Sequence, residues 1–595
     1  MTTQGQAWDL SPLVPSTKLD DIKKLIEQHV EAAEQLAKEY KGKIASLSAK
    51  ELRVHFAKSE EFYIELEGTY KFMKLSYDAD SLDPVAKQVG DLARRMYMKI
   101  NQILAFQEIE LSHLVAAKPS LINHPELAEY KHALERAKRK APHMLSDVEE
   151  QLILQKDRFG IDSWAQFQSD WLSTRTYDID IEGEQKTITF AEMYSLAEHP
   201  NRDIRKSTRS LEYLSLGEDE ILWASALRSV VGDHIETSKM RKYPSPRAQS
   251  LIDNDVDDET IDALMNTVED NVKLFHRYLR SKAKIMGIKK LGGWDLVAPL
   301  PNMPDMKYDW KTIRQTVIAT YQNFDADLAK IVQEMFDKRH IDSEVRKGKT
   351  GGAFFSPWYK GKLGYILQSF TGTLGDLYTM IHENGHAVHS YLMATNQTQV
   401  NTEIGMCIAE VGSVFGELLL TDKLLSEAKT KQEQLTILSR VLDGFTLSVF
   451  QISAYYFFEE DLYDAFNKGE YLDGETIAKY WEQSRDRIFA NEVEWLPESK
   501  WKWTYVPHYY LPNFRFYNYP YIFAQLLVYA LYRLYKEEGK EFVPKLKRIL
   551  SSGSRYSPRE LAAELGFDIA SPKFWELGMK QAEEFIQEYE ALTKD

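Results

Sequence analysis

Apolar side chains recur every three or four residues along most of this chain, the spacing that places one buried stripe on a helix. Between Lys18 and Lys41 the stripe runs through Ile22, Leu25, Ile26, Val30 and Ala33. Pro84 to Leu114, Val148 to Ser173, Asp203 to Lys239 and Asp258 to Ile285 keep the same period and are read as long amphipathic helices. Alternation with period two, the mark of a strand, is rare. It occurs from Ile179 to Phe190 around a Glu182-Gly183-Glu184 turn, and Gly364 to Phe370 is the other strand candidate. No internal repeat or low-complexity tract interrupts the pattern. The expected fold class is mainly α, with a small β element.

Composition narrows the picture. With 595 residues the chain exceeds one small core, so two or three subdomains are expected. Its net charge of −16 argues against nucleic acid or an anionic membrane as partner. Cys407 is the one cysteine, which excludes a disulfide within the chain and suits a reducing cytoplasm. Met1 to Ser16 lacks a basic start followed by an apolar run, and no run of 18 apolar residues occurs, so neither a signal peptide nor a membrane span is expected.

The candidate chemistry lies between Thr379 and His389. His382-Glu383-Asn384-Gly385-His386 places two imidazoles four residues apart, on one face of a helix, where they can share one zinc ion. Glu383 sits beside them, placed to hold a water and take its proton. About 0.02 chance occurrences of such a pattern are expected in a chain of ~600 residues, so two solvated histidines on a surface helix are the alternative. The Gly364-Tyr365-Ile366 strand lies one loop earlier. A strand beside a metal helix can bind an extended peptide along a free edge, so these three residues are candidate substrate contacts, against a purely structural strand. Asp376 is a helix-start candidate.

A catalytic zinc usually has three protein ligands. His389, three residues after His386, is disfavoured, because successive turns of one straight helix diverge too slowly to wrap a tetrahedral ion. Beyond the Ala394–Gln399 loop, Glu403, Glu410 and Glu417 are spaced by seven and so share a face on a helix. Gly405, Gly412, Ser413 and Gly416 are small enough to let two helices approach closely. One of these glutamates could complete the site, and a neighbour could hydrogen-bond a ligand histidine. A solvated acidic stripe is the alternative.

Taken together, these residues resemble the oligoendopeptidase F branch of the thimet oligopeptidase-like zinc metallopeptidases. The matching positions are Phe370-Thr371-Gly372-Thr373, Asp376, Thr379 to His389, Ala409-Glu410-Val411-Gly412-Ser413 and Glu417, with Lys349 to Phe354 and Trp8-Asp9-Leu10 upstream. The resemblance runs over nearly the whole length. It implies a two-lobed helical body around a deep channel, divided into an N-terminal helical region at 1–190 (with a family-type domain at about 110–185) and a catalytic region at 191–595. It implies one zinc per chain on His382, His386 and Glu410, with Glu417, His389 and Asp376 supporting the ligands. Cobalt or manganese could also serve.

The C-terminal third is rich in tyrosine. The family carries a histidine and a tyrosine-rich stretch there, on the substrate side of the metal, and His508, Tyr510, Tyr517 and Tyr519 fall in the matching stretch. His508, Tyr517 and Tyr510 are the candidate oxyanion donors, and Tyr519 is a candidate substrate contact. Asn513-Phe514-Arg515 reads as an insertion in the commoner pattern. A packed aromatic wall is the alternative.

The expected activity is cleavage of internal bonds in short unfolded peptides. A carboxypeptidase or dipeptidyl carboxypeptidase on a similar scaffold would need a grip on a terminal carboxylate, for which Arg515 or Lys502 are candidates. A helical peptide-binding protein without catalysis would have no use for Glu383.

Overall fold

A computed structural model of the chain describes residues 5–512 and 514–594. Asn513 lies outside the described residues. Helices dominate, as the period-3.6 stripes predict. Leu19–Tyr40 buries Ile22, Val30, Ala33, Leu36 and Tyr40, and it stops where Gly42 takes a φ of 76°, a left-handed turn that glycine adopts without steric cost.

Four of the long helices expected from sequence are each two helices. Pro84–Leu104 and Phe106–Ala117 meet at Ala105. Asp147–Asp157 and Asp162–Thr174 are separated by a turn at Gly160. Arg202–Glu218 and Glu220–Met240 part at Asp219, and Asp258–Asp270 and Val272–Ile285 part at Asn271. A break of one to four residues barely shifts the apolar stripe, so periodicity reads through it. At Asp219 the cause is tertiary: its carboxylate accepts from Trp171 Nε1 at 3.0 Å and Arg175 Nη2 at 2.6 Å.

The strands are short: β1 (Thr176–Ile181), β2 (Glu184–Thr189), β3 (Leu291–Gly292), β4 (Ile341–Asp342), β5 (Ala353–Ser356), β6 (Tyr365–Gln368) and β7 (Val493–Glu494). β1 and β2 form the expected hairpin, with Ile181 opposite Glu184. Glu182 and Gly183 have φ of 57° and 86°, which matches the right-handed strand twist. β3 and β7 pair in parallel.

The third sheet bears on function. Its order is β4-β6-β5, with β6 parallel to β4 and antiparallel to β5. The Gly364–Phe370 strand therefore has a neighbour on both sides. Tyr365, Ile366 and Leu367 are fully buried, Gly364 is buried too, and Trp8 and His340 pack on the Tyr365 ring. The expectation that Gly364, Tyr365 and Ile366 offer a free edge is corrected: edge pairing and burial have already used those groups. β5 is the exposed-side neighbour, half-buried along its length.

The chain divides into two compact units, each built from three separate stretches. The first contains residues up to Pro142, Asp305–Ser426 and Leu534–Phe567. Its core gathers the N-terminal helices against Tyr365 and Leu367 of β6. The second contains His143–Pro304, Glu427–Arg533 and residues from Asp568 onward. Within it, Lys431–Asn467 is a continuous helical run with a π-turn at Thr446–Gln451. By length and composition this run could cross a membrane, with a mean hydropathy of 1.3 over its most apolar window, 56% of which is buried inside the protein.

Candidate metal centre

The motif helix, Leu374–Asn396, begins at Thr373 in a capping box. Asp376 N–H donates to Thr373 Oγ1 at 3.1 Å, and the Asp376 carboxylate accepts from Thr373 N at 3.0 Å and from Thr371 N and Oγ1 at 2.8 Å each. Those bonds outweigh burial and hold the Asp376 carboxyl below its usual range. Asp376 thus fixes where the helix starts and touches no candidate ligand directly.

Two turns on, the His382 and His386 rings lie 4.9 Å apart at 80°. The second helix crosses them at a glycine contact. A Cβ on Gly385 would sit 2.4 Å from Gly412 O, and one on Gly412 would sit 2.5 Å from Gly385 O. Neither backbone can yield, so only glycine at both positions permits this approach. Gly412→Ala is expected to destabilise the chain by about 1–3 kcal/mol through overpacking and to lower its metal content, read by thermal melting and elemental analysis.

The second helix is interrupted. Met406–Ala409 is one turn, Glu410 has φ −86° and ψ 1°, and Val411–Glu427 follows. Glu403 lies before that turn, beyond the Gln399–Thr402 segment. The reading of Glu403, Glu410 and Glu417 as one helical face therefore fails at its first member. The break brings Glu410 Oε2 to 3.3 Å from His382 Nε2 and to 3.3 Å from His386 Nε2. Ser413 Oγ donates to the same carboxylate oxygen at 2.6 Å.

His382, His386 and Glu410 form one group whose donor atoms all lie within 4.8 Å of one another. Ligand atoms about 2.0–2.1 Å from a tetrahedral ion sit about 3.3–3.4 Å apart, so both nitrogen–oxygen distances suit zinc. The donor set, two imidazoles and one carboxylate, suits it as well. Glu417 Oε1 lies 2.6 Å from His382 Nδ1. That contact places the ring proton on Nδ1 and leaves Nε2 facing Glu410.

The electrostatics ask for a positive charge at this point. Burial alone would depress His382, but the Glu417 hydrogen bond and the charges of Glu417, Glu410 and Glu383 carry it up to about 9. Burial alone would raise Glu410, but its hydrogen bond to His386, the two imidazole charges and Ser413 bring it down to about 2. In the ion-free protein a proton on imidazole supplies the charge that a cation would supply. Glu383 is 6% exposed. Burial pushes its carboxyl up, against the two histidine charges and with those of Glu410 and Glu417.

His389 lies outside this group. It is buried, which pushes its pKa down to about 3, and it hydrogen-bonds the backbone of Ala409, the residue before Glu410. It packs the helix crossing rather than facing an ion. Phe355 of β5 stacks over His386, with ring centroids 6.4 Å apart at 16°.

The tyrosine-rich segment belongs to the second unit. His508, Phe514, Tyr517 and Tyr521 are half-buried and touch one another. Phe514 and Tyr517 centroids are 4.2 Å apart, Tyr517 and Tyr521 are 5.8 Å apart, and His508 and Tyr517 are 6.3 Å apart. His508 Nε2 lies 3.4 Å from the Tyr521 hydroxyl, and burial lowers the His508 pKa. Two expectations are corrected here. Tyr510 is fully buried against Trp223 at 5.8 Å, so its hydroxyl cannot reach a substrate. Tyr519 is fully buried as well, and its hydroxyl donates to Ser250 O at 2.9 Å. Sequence reasoning missed Tyr521, which left no periodic signal because Tyr517 precedes the helix Tyr519–Glu538 that carries Tyr521. It also passed over Ser413 as merely small, although its hydroxyl stands one turn after Glu410.

Comparison with known proteins fixes the class. The profile of peptidase family M3 matches residues 195–581, and that of oligopeptidase F matches residues 119–174. The chain belongs to peptidase family M3. It is 27% identical to the oligopeptidase PepF of Bacillus subtilis over 98% of this chain and 87% of that one. It is also 27% identical to an oligoendopeptidase F homolog of Lactococcus lactis, over 89% of this chain and 88% of the relative. Its fold matches that of a provisionally assigned peptidase from Chlamydophila abortus at a TM-score of 0.86, with 21% identity and 98% of both chains covered. Oligoendopeptidase F from Enterococcus faecium matches at a TM-score of 0.70, with 21% identity, over 96% of this chain and 99% of that one.

Proposed function

We propose that this chain is a zinc-dependent endopeptidase that hydrolyses internal bonds of short unfolded peptides. The observation that carries the reading is Glu410 Oε2 at 3.3 Å from both imidazole nitrogens, with Glu383 buried on the same turn. His382 Nε2, His386 Nε2 and Glu410 Oε2 would hold one Zn²⁺. Bound there, the ion supplies Lewis acidity, polarising a scissile carbonyl and bringing the pKa of water towards ~7.

The rest is done by the chain's own groups. Glu383 takes a proton from the attacking water and returns it to the leaving amine. Glu417 holds His382 in the tautomer that points Nε2 inward, and Ser413 orients the Glu410 carboxylate. The outer edge of β5 takes the part first assigned to β6. In an antiparallel pair, alternate residues turn their N–H and C=O away from the partner, and among the described residues no other element's backbone bonds Ala353–Ser356. An extended peptide adding to that edge would run beside His386, over which Phe355 stacks. His508 and Tyr517 are assigned the oxyanion, on the family resemblance and on their shared half-buried cluster. All of this lies within the region proposed as catalytic, 191–595.

The carboxypeptidase alternative loses one of its two candidates. Arg515 is buried and donates to Leu511 O at 2.6 Å and Tyr509 O at 3.4 Å, within its own segment. The test is digestion of an internally quenched peptide blocked at both ends, with elemental analysis of the same sample. The expected outcome is cleavage at an internal bond and about one zinc per chain. Resistance of the doubly blocked peptide, with cleavage once its C-terminus is freed, would support the carboxypeptidase instead.

A further inference from the structure

The segment that presents Tyr517 is held from beneath by a carboxylate that none of the chemistry above uses. Glu459, on the helix Ile452–Asn467, is 2% exposed. Its Oε1 accepts from the Phe516 backbone N–H at 2.7 Å, and its Oε2 accepts from Asn518 Nδ2 at 3.2 Å. The two bonds land on either side of Tyr517.

The backbone here needs holding. Phe516 has a φ of 52°, in the left-handed region that a bulky side chain rarely enters. Such a conformation persists only where its surroundings over-determine it. They do so from several directions. The Phe516 ring packs on Tyr463 at 4.9 Å, and its carbonyl accepts from Ser250 Oγ at 3.0 Å. Arg515 is tied back to Leu511 O at 2.6 Å. With Phe516 and Asn518 drawn inward, Tyr517 between them is turned towards His508 and Tyr521.

We infer that Glu459 is a positioning residue: its two hydrogen bonds hold the left-handed turn at Phe516 and thereby set where the Tyr517 hydroxyl stands. A neutral core would have satisfied one backbone N–H with far less cost than a buried carboxylate. Burial pushes the Glu459 carboxyl up to about 7, against the Phe516 hydrogen bond and the Arg515 charge, with Glu460 adding to the rise. Both of its protonation states keep an oxygen for the Phe516 N–H, so the clamp works in either.

The inference rests on Tyr517 acting in the proposed peptidase, and the test separates the two. Glu459→Ala, Glu459→Gln and Asn518→Ala would be made in the full, metal-loaded chain. Amide hydrogen exchange over residues 507–521 would be followed with kcat, KM and metal content. In Glu459→Ala, exchange at Phe516 is expected to rise about tenfold or more while the rest of the chain keeps its protection. Its kcat is expected to fall about 10- to 100-fold, with KM within about twofold. Glu459→Gln, which retains the Phe516 acceptor, is expected to restore kcat to within about threefold of wild type. Asn518→Ala, the milder change if Glu459→Ala does not fold, should give the same pattern at smaller amplitude. Unchanged exchange at Phe516 would overturn the inference. So would a rise spread evenly over the chain, which is what a merely structural residue gives. Failure of the peptidase reading would show elsewhere, as turnover untouched by Glu383→Gln, and would leave the exchange result standing.

Discussion

Glu383→Gln is expected to leave the bound metal in place and to remove peptide turnover, by about 10²- to 10⁴-fold in kcat, the range that a lost general base accounts for. The amide has the shape of the carboxylate but cannot take a proton from water at neutral pH. Glu383 is buried between the two histidine turns, so removing its charge relieves a desolvation cost instead of leaving an orphaned partner. The variant should therefore melt no lower than wild type. Elemental analysis, a melting curve and a quenched-peptide assay on one preparation read all three quantities. Near wild-type turnover would sink the assignment of Glu383 as base. Loss of metal together with activity would show instead that the residue shapes the site.

Glu410→Ala is expected to take metal content from about one ion per chain to near zero, because two imidazoles on one helix cannot enclose a tetrahedral ion alone. The loss should also appear in stability. An ion that binds only the folded chain contributes about 2.7 kcal/mol at 100 times its dissociation constant, so a chelator should lower the melting temperature of wild type. In Glu410→Ala the chelator should have no effect, since the coupling has gone. Full metal occupancy in that variant would move the third ligand elsewhere. Glu417 is the next carboxylate along, but its Oε1 already lies 2.6 Å from His382 Nδ1.

Much of this was legible from spacing. The four-residue interval of His382 and His386 and the Glu182-Gly183 turn are local features. Helix and hairpin geometry translate them into position without reference to the rest of the chain. The helix start was legible to within three residues: Asp376 reads as the cap, whereas Thr373 caps the helix and Asp376 closes the capping box at its third position. The long helices were legible as stripes, but not their breaks, because one residue out of phase leaves the stripe nearly intact.

Other features depended on partners distant in sequence. β6 is apolar and strand-like in sequence, but only its pairing with both β4 and β5 denies it a free edge. Tyr510, Tyr517, Tyr519 and Tyr521 look alike in sequence. Trp223 and Ser250, more than 250 residues upstream of some of them, bury two and leave the others half-exposed beside His508. By itself the sequence determined that two imidazoles and a carboxylate share a helical turn, since that follows from a fixed rise and angle per residue. The tertiary structure decided which glutamate meets them, because the helix breaks at Glu410 and the glycine crossing closes the gap. Neither the break nor the crossing leaves a period to be read along the chain.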